Sequence, residues 1–591
     1  MTSAWSDSLA FSAAALQWHW RGRTQFSLLQ NGCGDAAQLL QTWNAWQQDA
    51  DAPQRLHYLI IDPQLPERAQ LARWQPTLPV QLLADWPPQL PGYHRILLAQ
   101  GRFTLTLIAG DIAASLPQLE ARIDFFLLRR DPLWTPILLK WLGRLAAPQA
   151  RLLADDGVPL SASALQQLGF VSEQATTPTP AQFAPRWQTP GGVERAMERR
   201  AIVIGAGLAG SAVCESLAVR GWRIGLIEQH DAPAQEASGN VAGVYMPAIS
   251  RDDNPTARLT RAAFLFAQQV WARSGVFEHA HQGGQACGVL QVARDAAQAA
   301  AFEAAAQQWR YPADYAQWLT ADQASARLGR ATGSGWFFPK GGWLQPAAVC
   351  AALLAACGDR LQRHFGRGAT SLRRVHDEWQ VCTADGRTIA QAPVLILANG
   401  TPATQFAQAA GLPLQAIRGQ VSHLPAASLP ALPFVLCGDG YLTGAVAGLV
   451  SVGASYDQDH DPALRRDSHL GNLDKLVQLL REPSLLAHID AAPLAGRVGF
   501  RCVSADRLPL VGALPDLAAL SLAGEVSLRE VPRQPQLHGL LGYASRGLIW
   551  APLAAELVAC QLEGEPAPLG RDLLALLDPA RFALKAHRHK D

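Results

Sequence analysis

The sequence predicts an α/β protein of two globular regions: an N-terminal doubly wound domain, and a C-terminal nucleotide-binding domain carrying an inserted mixed or antiparallel sheet. Three observations predict it. Apolar strand-like runs alternate with helical stretches over 1–172. The stretch 173–198 holds four prolines, two glycines and three Thr-Pro steps, which is the composition of a linker. A strand, a glycine turn, a helix and a second strand then open the region 199–580.

Composition sets the limits. The chain has 591 residues, 49% hydrophobic and 17% charged, enough to bury large cores without staples. Its 50 basic and 49 acidic residues give a net charge of +1, which excludes a polybasic nucleic-acid binder but leaves room for a local basic patch. The nine cysteines are odd in number and form no C-x-x-C pair, so neither a disulfide framework nor a metal site is expected. The start lacks the pattern of a signal peptide, and no run of 18 apolar residues suggests a membrane helix. A cytoplasmic setting follows.

In the N-terminal region the expected strands are Phe26–Leu29, Leu56–Ile61, Phe103–Ile108 and Ile123–Leu128, with a helix at Ala36–Gln47. Gly32-Cys33-Gly34-Asp35-Ala36-Ala37 follows the first strand, Asp62 ends the second, and Gly110-Asp111-Ile112 follows the third.

The second region opens with the strand Ala201–Ile204, the turn Gly205-Ala206-Gly207-Leu208-Ala209-Gly210, a helix at Ser211–Arg220 and the strand Trp222–Ile227. Gly205 permits the tight turn, Gly207 lets backbone approach a pyrophosphate, and Gly210 lets helix and strand pack closely. The helix start offers free N–H groups to phosphate. Glu228, 18 residues after Gly210, can accept from a ribose diol. These residues alone suit NAD or FAD. The polar loop Ala237-Ser238-Gly239-Asn240 favours FAD, bringing Ser238 and Asn240 towards a flavin. Gly542-Tyr543-Ala544-Ser545-Arg546-Gly547-Leu548, ahead of a helix at Ala551–Cys560, offers a second glycine-bearing helix start through Gly542, Ser545 and Gly547. The strand Val394–Leu397 with Ala398-Asn399-Gly400 closes the same domain. Nucleotide-binding segments are expected at about 199–275, 340–410 and 495–565, and a substrate subdomain at about 276–340 and 411–494.

These pieces resemble the D-amino-acid-oxidase-like flavoproteins, glycine and sarcosine oxidases among them, over roughly 200–565. Further blocks resemble, in order, the oxidoreductase half of the MnmC family of bifunctional tRNA wobble-uridine modification enzymes. They are Ala237–Asn240, Trp336–Leu344, Gly419–His423, Asp439–Thr443, Gly453–Tyr456, Arg501-Cys502, Asp506–Gly512 and Ser545–Leu548. The resemblance implies non-covalent FAD and a tRNA substrate carrying 5-carboxymethylaminomethyl-(2-thio)uridine. The flavin oxidises the glycine-like CH2 of that side arm, and imine hydrolysis gives glyoxylate and an aminomethyl uridine. A carboxylate needs a guanidinium fork. Arg501 is the first candidate and Arg546 the second, with Tyr441 adding a hydroxyl or lining the pocket. Oxidation of a neutral amine needs no strong base, so His423 has no required role. Phosphate contacts would come from Arg199-Arg200, Arg373-Arg374 or the tail Lys585–Lys590.

The same resemblance makes the N-terminal region a Rossmann-like domain of the S-adenosylmethionine-dependent methyltransferase type. Three departures argue against methyl transfer there. Ala36 stands for a third glycine. Arg129 falls where the family has the aspartate of an Asp-Gly-Phe-Ala-Pro motif. A closing glycine- and arginine-rich segment is replaced by Thr176-Thr177-Pro178. The expectation is a degenerate domain beside an active oxidoreductase. Its rivals are an intact bifunctional enzyme, a small-molecule amine oxidase, and a scaffold that holds FAD structurally.

Overall fold

Strand residues that alternate between two apolar faces, with helices to cover both, dictate a sheet buried on each side. The computed structural model describes residues 13–155, 158–171, 181–183, 198–278, 283–484, 489, 491, 494–520 and 527–588, with backbone alone at 13–15 and 587–588. It divides into two compact units, Met1–Arg195 with Cys560–Leu574, and Ala196–Ala559 with Ala575–Asp591.

The first unit holds strands β1 (Gln25–Asn31), β2 (Arg55–Asp62), β3 (Gly92–Leu98), β4 (Phe103–Ala109), β5 (Ile123–Leu128), β6 (Ala146–Ala154), β7 (Phe170–Val171) and β8 (Ala181–Phe183). Their order is β3-β4-β2-β1-β5-β6-β8-β7. The five central strands, β4 to β6, are parallel, and the outer ones pair antiparallel. Leu28, Ile60 and Leu127 face one core with Trp43 and Trp46, while Leu29, Ile61 and Leu128 face another with Leu138 and Leu142. All four expected strands form here, and the expected helix runs Ala37–Gln48.

Two findings differ from expectation. β3 was missed; it hairpins onto β4 through Ala99, Gln100 and Gly101, all at positive φ, a turn without the usual Asn-Gly signature. Within the segment expected as a linker, Ala181–Phe183 forms β8, because Ala181 and Phe183 are apolar and buried while the prolines flank it. The remainder of that segment up to 197 lies outside the described residues.

The returning segment completes this unit. The Glu565 carboxylate is buried 2.8 Å from Arg55 Nε on β2 and 3.8 Å from His57 Nε2.

The second unit carries a six-stranded nucleotide sheet. Its order is Leu361–His364, β10 (Arg223–Ile227), β9 (Arg200–Ile204), Val394–Leu397, Arg533–Leu541 and Leu510–Pro515. All neighbours are parallel except the last pair. The helix Leu208–Val219 follows β9, beginning three residues earlier than expected. An eight-stranded mixed sheet forms the inserted part, antiparallel except where Val289–Val292 meets Val435–Cys437. Its edge strand Ala495–Ser504, expected in the nucleotide part, pairs with Leu414–Pro425 over ten residue pairs. Hydrogen bonding along that length outweighs the sequence adjacency that suggested otherwise. Among the described residues, no helix is long and apolar enough to cross a membrane.

One buried group gives the nucleotide sheet a pH dependence. His538 pairs with Ile396 on one side and Ala513 on the other, and burial pulls its imidazole down to about 4. In the unfolded chain it returns to roughly 6.5, so the unfolded state binds the extra proton between those values. Stability is therefore full above about pH 6.5 and is lost as pH falls towards 4, by on the order of 3 kcal/mol. We expect the melting temperature to drop on acidification through that window and His538→Gln to flatten the drop. An unchanged slope in the variant would remove His538 as the cause.

Candidate functional site

The glycine turn sits at the carboxyl end of β9, where the strand order reverses between β10 and Val394–Leu397. Such a reversal opens a crevice for a ligand. Gly205 has φ +104, and a Cβ there would stand 2.7 Å from the Ala398 carbonyl oxygen. A Cβ on Gly210 would stand 1.8 Å from the Gly205 carbonyl oxygen, and one on Gly207 would meet Ser238 Oγ at 3.0 Å. At Gly205 and Gly210 a side chain would collide with backbone, whereas at Gly207 the Ser238 hydroxyl would have to shift. The Leu208 N–H, first in its helix, donates to Ser238 Oγ at 3.1 Å.

Glu228 is buried at the end of β10. Its Oε2 accepts from the Ala206 N–H at 2.8 Å, and its Oε1 from the His230 N–H at 3.0 Å. Carboxylate oxygens have further lone pairs for a diol. The loop bearing Ser238 and Asn240 is held by Arg497, whose Nη2 donates to the carbonyls of Gln235 at 2.5 Å and Glu236 at 2.7 Å.

One cavity of about 910 Å³ gathers these groups. Gly205, Gly207, Glu228, Ser238 and Asn240 line it, as do Gly542, Ser545 and Gly547 from the far end of the chain. Gly210 lies beneath it, packed against Gly205. Gly547 opens the helix Gly547–Glu563, so a second helix N-terminus reaches the same space. Arg501, Tyr441 and Arg546 also line the cavity.

Arg501 owes its place to a missing side chain. A Cβ on Gly419, on the paired strand, would stand 2.0 Å from Arg501 Nη1. The guanidinium donates to the Ser455 carbonyl at 3.2 Å and lies 5.8 Å from the Tyr456 ring centroid. Burial lowers the pKa of Arg501, the phenols of Tyr441 and Tyr456 opposing it. Burial pushes the Tyr441 phenol up to about 12, so it stays a neutral donor near neutral pH. Arg546 is lowered by burial too, and its guanidinium makes no ion pair among the described residues.

Sequence reasoning missed three lining groups. Lys475, on the helix Arg466–Leu480, donates to the Ala454 carbonyl at 2.6 Å, and burial lowers its pKa. On a helix of mixed polarity a lysine reads as solvated, and only the fold turns it inward. Asn399 lies in a quoted turn, but nothing in the sequence marks its side chain, whose Oδ1 is buried with no partner in the cavity wall. Arg367 lines the cavity near Glu228, its N–H donating to the Glu228 carbonyl at 2.9 Å. His423, by contrast, does not line the cavity and is buried in the Leu414–Pro425 strand.

The basic candidates for phosphate contact are largely engaged. Arg200 pairs with Glu198 and Glu378, Arg373 donates to the Gly386 carbonyl, and Arg374 donates to the Pro535 carbonyl beside Trp379. Most of the Lys585–Lys590 tail has no described side chains.

The residues present fit FAD. A glycine turn and two helix starts face one cavity, and the unpartnered Asn399 Oδ1 and Tyr543 hydroxyl in its wall lack the donors and acceptors a cofactor would provide. Fold and site define an FAD-dependent oxidoreductase, and the family described as FAD dependent oxidoreductase matches residues 200–561. The fold agrees with solved structures. The second region is similar to glycine oxidase from Geobacillus kaustophilus (TM-score 0.52, 20% identity, covering 65% of this chain and 99% of that one) and to L-proline dehydrogenase from P. horikoshii (TM-score 0.52, 15% identity, 65% and 98%). Whole-chain relatives are more specific. This chain is 41% identical over 606 residues to the tRNA 5-methylaminomethyl-2-thiouridine biosynthesis bifunctional protein MnmC of Paraburkholderia phytofirmans, covering 96% of this chain and 92% of the relative. It is 42% identical over 592 residues to the protein of that name from Azoarcus sp., with coverage of 96% and 92%. The chain belongs to the MnmC family.

The turn is testable directly. Gly210→Ala forces backbone apart and is expected to yield protein purified without yellow colour. Glu228→Gln keeps the shape but weakens hydrogen bonding, and flavin-fluorescence titration should show roughly tenfold weaker FAD binding, about 1.4 kcal/mol. Unchanged affinity in both variants would place the cofactor elsewhere.

Proposed function

We propose that this chain removes the carboxymethyl group from 5-carboxymethylaminomethyl-(2-thio)uridine at the tRNA wobble position, giving the 5-aminomethyl nucleoside and glyoxylate. One observation carries the reading. Two half-buried arginines and a neutral phenol line the same cavity as the dinucleotide turn, in a chain whose whole-length relatives are named for 5-methylaminomethyl-2-thiouridine biosynthesis in tRNA.

FAD, when bound, supplies the two-electron acceptor for oxidation of the amine C–H bond. Gly205, Gly207, Ser238, Asn240, Gly542, Ser545 and Gly547 would hold it, with Glu228 on a ribose. Arg501 binds the substrate carboxylate, its guanidinium strengthened as a partner by the burial that lowers its own pKa. Tyr441 donates its phenolic O–H to the same carboxylate, and Arg546 adds a second cation. Lys475, its Nζ held on the Ala454 carbonyl, adds a further cation, and the substrate amine reacts in its neutral form. The substrate nitrogen and carbon then share a double bond. Water adds to that carbon, the C–N bond breaks, and the nitrogen leaves with the tRNA as a primary amine. A tRNA substrate places the work in the cytoplasm.

Nucleoside mass spectrometry of tRNA carrying carboxymethylaminomethyl-uridine, incubated with the yellow protein, should show aminomethyl-uridine. Arg501→Gln should retain flavin and lose on the order of 100-fold in kcat/KM, about 3 kcal/mol. Turnover of free glycine or sarcosine with untouched tRNA would instead make this a small-molecule amine oxidase.

A further inference from the structure

The first unit has its own point of strand-order reversal. β1 lies between β2 and β5, so the strand order reverses there, and the carboxyl ends of β1 and β5 frame the place where a doubly wound sheet takes a ligand. β1 leads into the turn Gly32-Cys33-Gly34, β2 ends on Asp62, and β5 runs straight into Arg129. The name of the relatives calls them bifunctional, and the resemblance in this unit implies S-adenosylmethionine, whose reactive centre is a sulfonium cation.

The residues present do not fit that group. The Arg129 side chain lies across the glycine turn. Its Nη1 is 3.2 Å from the point where a Cβ on Gly34 would stand, and its Cδ is 3.8 Å from the corresponding point on Gly32. The bare backbone that would receive a ligand is covered by this chain's own arginine. The residue is also anchored. Its N–H donates to Asn31 Oδ1 at 2.7 Å, and its carbonyl accepts from Asn31 Nδ2 and Trp134 Nε1, each at 3.0 Å. Its Nε is buried with no partner, and among the described residues no carboxylate forms an ion pair with it. The backbone of Arg129 is thus held in place, and its guanidinium, with no ion pair among the described residues, lies over the glycine turn and opposes a second cation there. Asp62, the group placed to hold a ribose, accepts from the Cys33 N–H at 2.6 Å and the Gln64 N–H at 2.8 Å and keeps further lone pairs, so the obstruction lies at Arg129. Ala36, closing the turn, sits at φ +63, a conformation that favours glycine.

We infer that Arg129 closes the donor crevice of the N-terminal unit, so that this chain performs only the oxidative half of the reaction and releases the aminomethyl nucleoside to a separate N-methyltransferase. The hand-off rests on the function proposed above. The relatives are named for a methylaminomethyl nucleoside, so a methyl group must still reach the primary amine. In that later reaction the amine nitrogen forms a bond to the methyl carbon, the sulfur–carbon bond of the sulfonium breaks, and the nitrogen gives up a proton.

Isothermal titration of the full-length flavoprotein with S-adenosylmethionine tests the crevice without any turnover. We expect no saturable binding up to ~1 mM for the natural chain. Arg129→Ala, and Arg129→Gln as a milder variant, should gain binding at least tenfold tighter than that limit. Flavin absorbance and melting temperature confirm that the variants fold. Micromolar binding by the natural chain overturns the inference, and variants that stay blind to the ligand overturn Arg129 as the obstacle. The tRNA assay, run with and without S-adenosylmethionine, should give aminomethyl-uridine in both tubes. Methylaminomethyl-uridine in the supplemented tube overturns the inference. Unaltered carboxymethylaminomethyl-uridine in both would strike the oxidoreductase reading instead, while the titration still decides the crevice.

Discussion

The contact on which the rest of the second unit depends is the close approach of Gly210 to the Gly205 carbonyl, where even a methyl group would stand at 1.8 Å. That approach lets the helix Leu208–Val219 start directly above β9, which points its free N–H groups into the cavity. The same turn sets the Ala206 N–H on Glu228, so one piece of backbone geometry fixes both the helix start and the carboxylate that line the cavity. The later chain is built to this frame: Gly547 starts its helix beside Leu208, with 3.1 Å between its potential Cβ and the leucine side chain.

A second absence of a side chain organises the substrate end. The long pairing of Leu414–Pro425 with Ala495–Ser504 puts Ile417 opposite Arg501 and Gly419 two residues on, leaving the guanidinium room to lie flat along the sheet. A desolvated guanidinium held by a single carbonyl keeps most of its donors for an anion. Lys475 and Arg546 bring the number of basic side chains lining this cavity beside Arg501 to three.

Much of this was legible in the sequence. Strongly periodic apolar runs marked β1, β2, β4, β5 and β9, and glycines at fixed spacing marked the turn, since no other residue satisfies that geometry. What escaped was tertiary in origin. β3 is half of a hairpin whose turn lacks the usual residues, and β8 is three residues among prolines. The strand bearing Arg501 was assigned to the wrong sheet because pairing partners some 80 residues apart leave no local trace. Lys475 and Asn399 are ordinary residues until the fold turns them inward. Arg129 stood out by its type, but only coordinates show its side chain lying over Gly34 rather than out in solvent.

The return of Cys560–Leu574 to the first unit carries a consequence for how such a protein can evolve. A domain strung on a single linker can be lost by one deletion. Here the buried Glu565 beside Arg55 and His57 is encoded some 500 residues downstream of them, after most of the second unit. Excising the N-terminal region would strip that carboxylate and its segment of their buried surroundings, and cutting the chain after it would take the carboxylate from Arg55. The segments that build the first unit are thus separated along the chain by most of the second. A domain completed by a segment from the far end of the chain is therefore retained as architecture, whatever becomes of its chemistry.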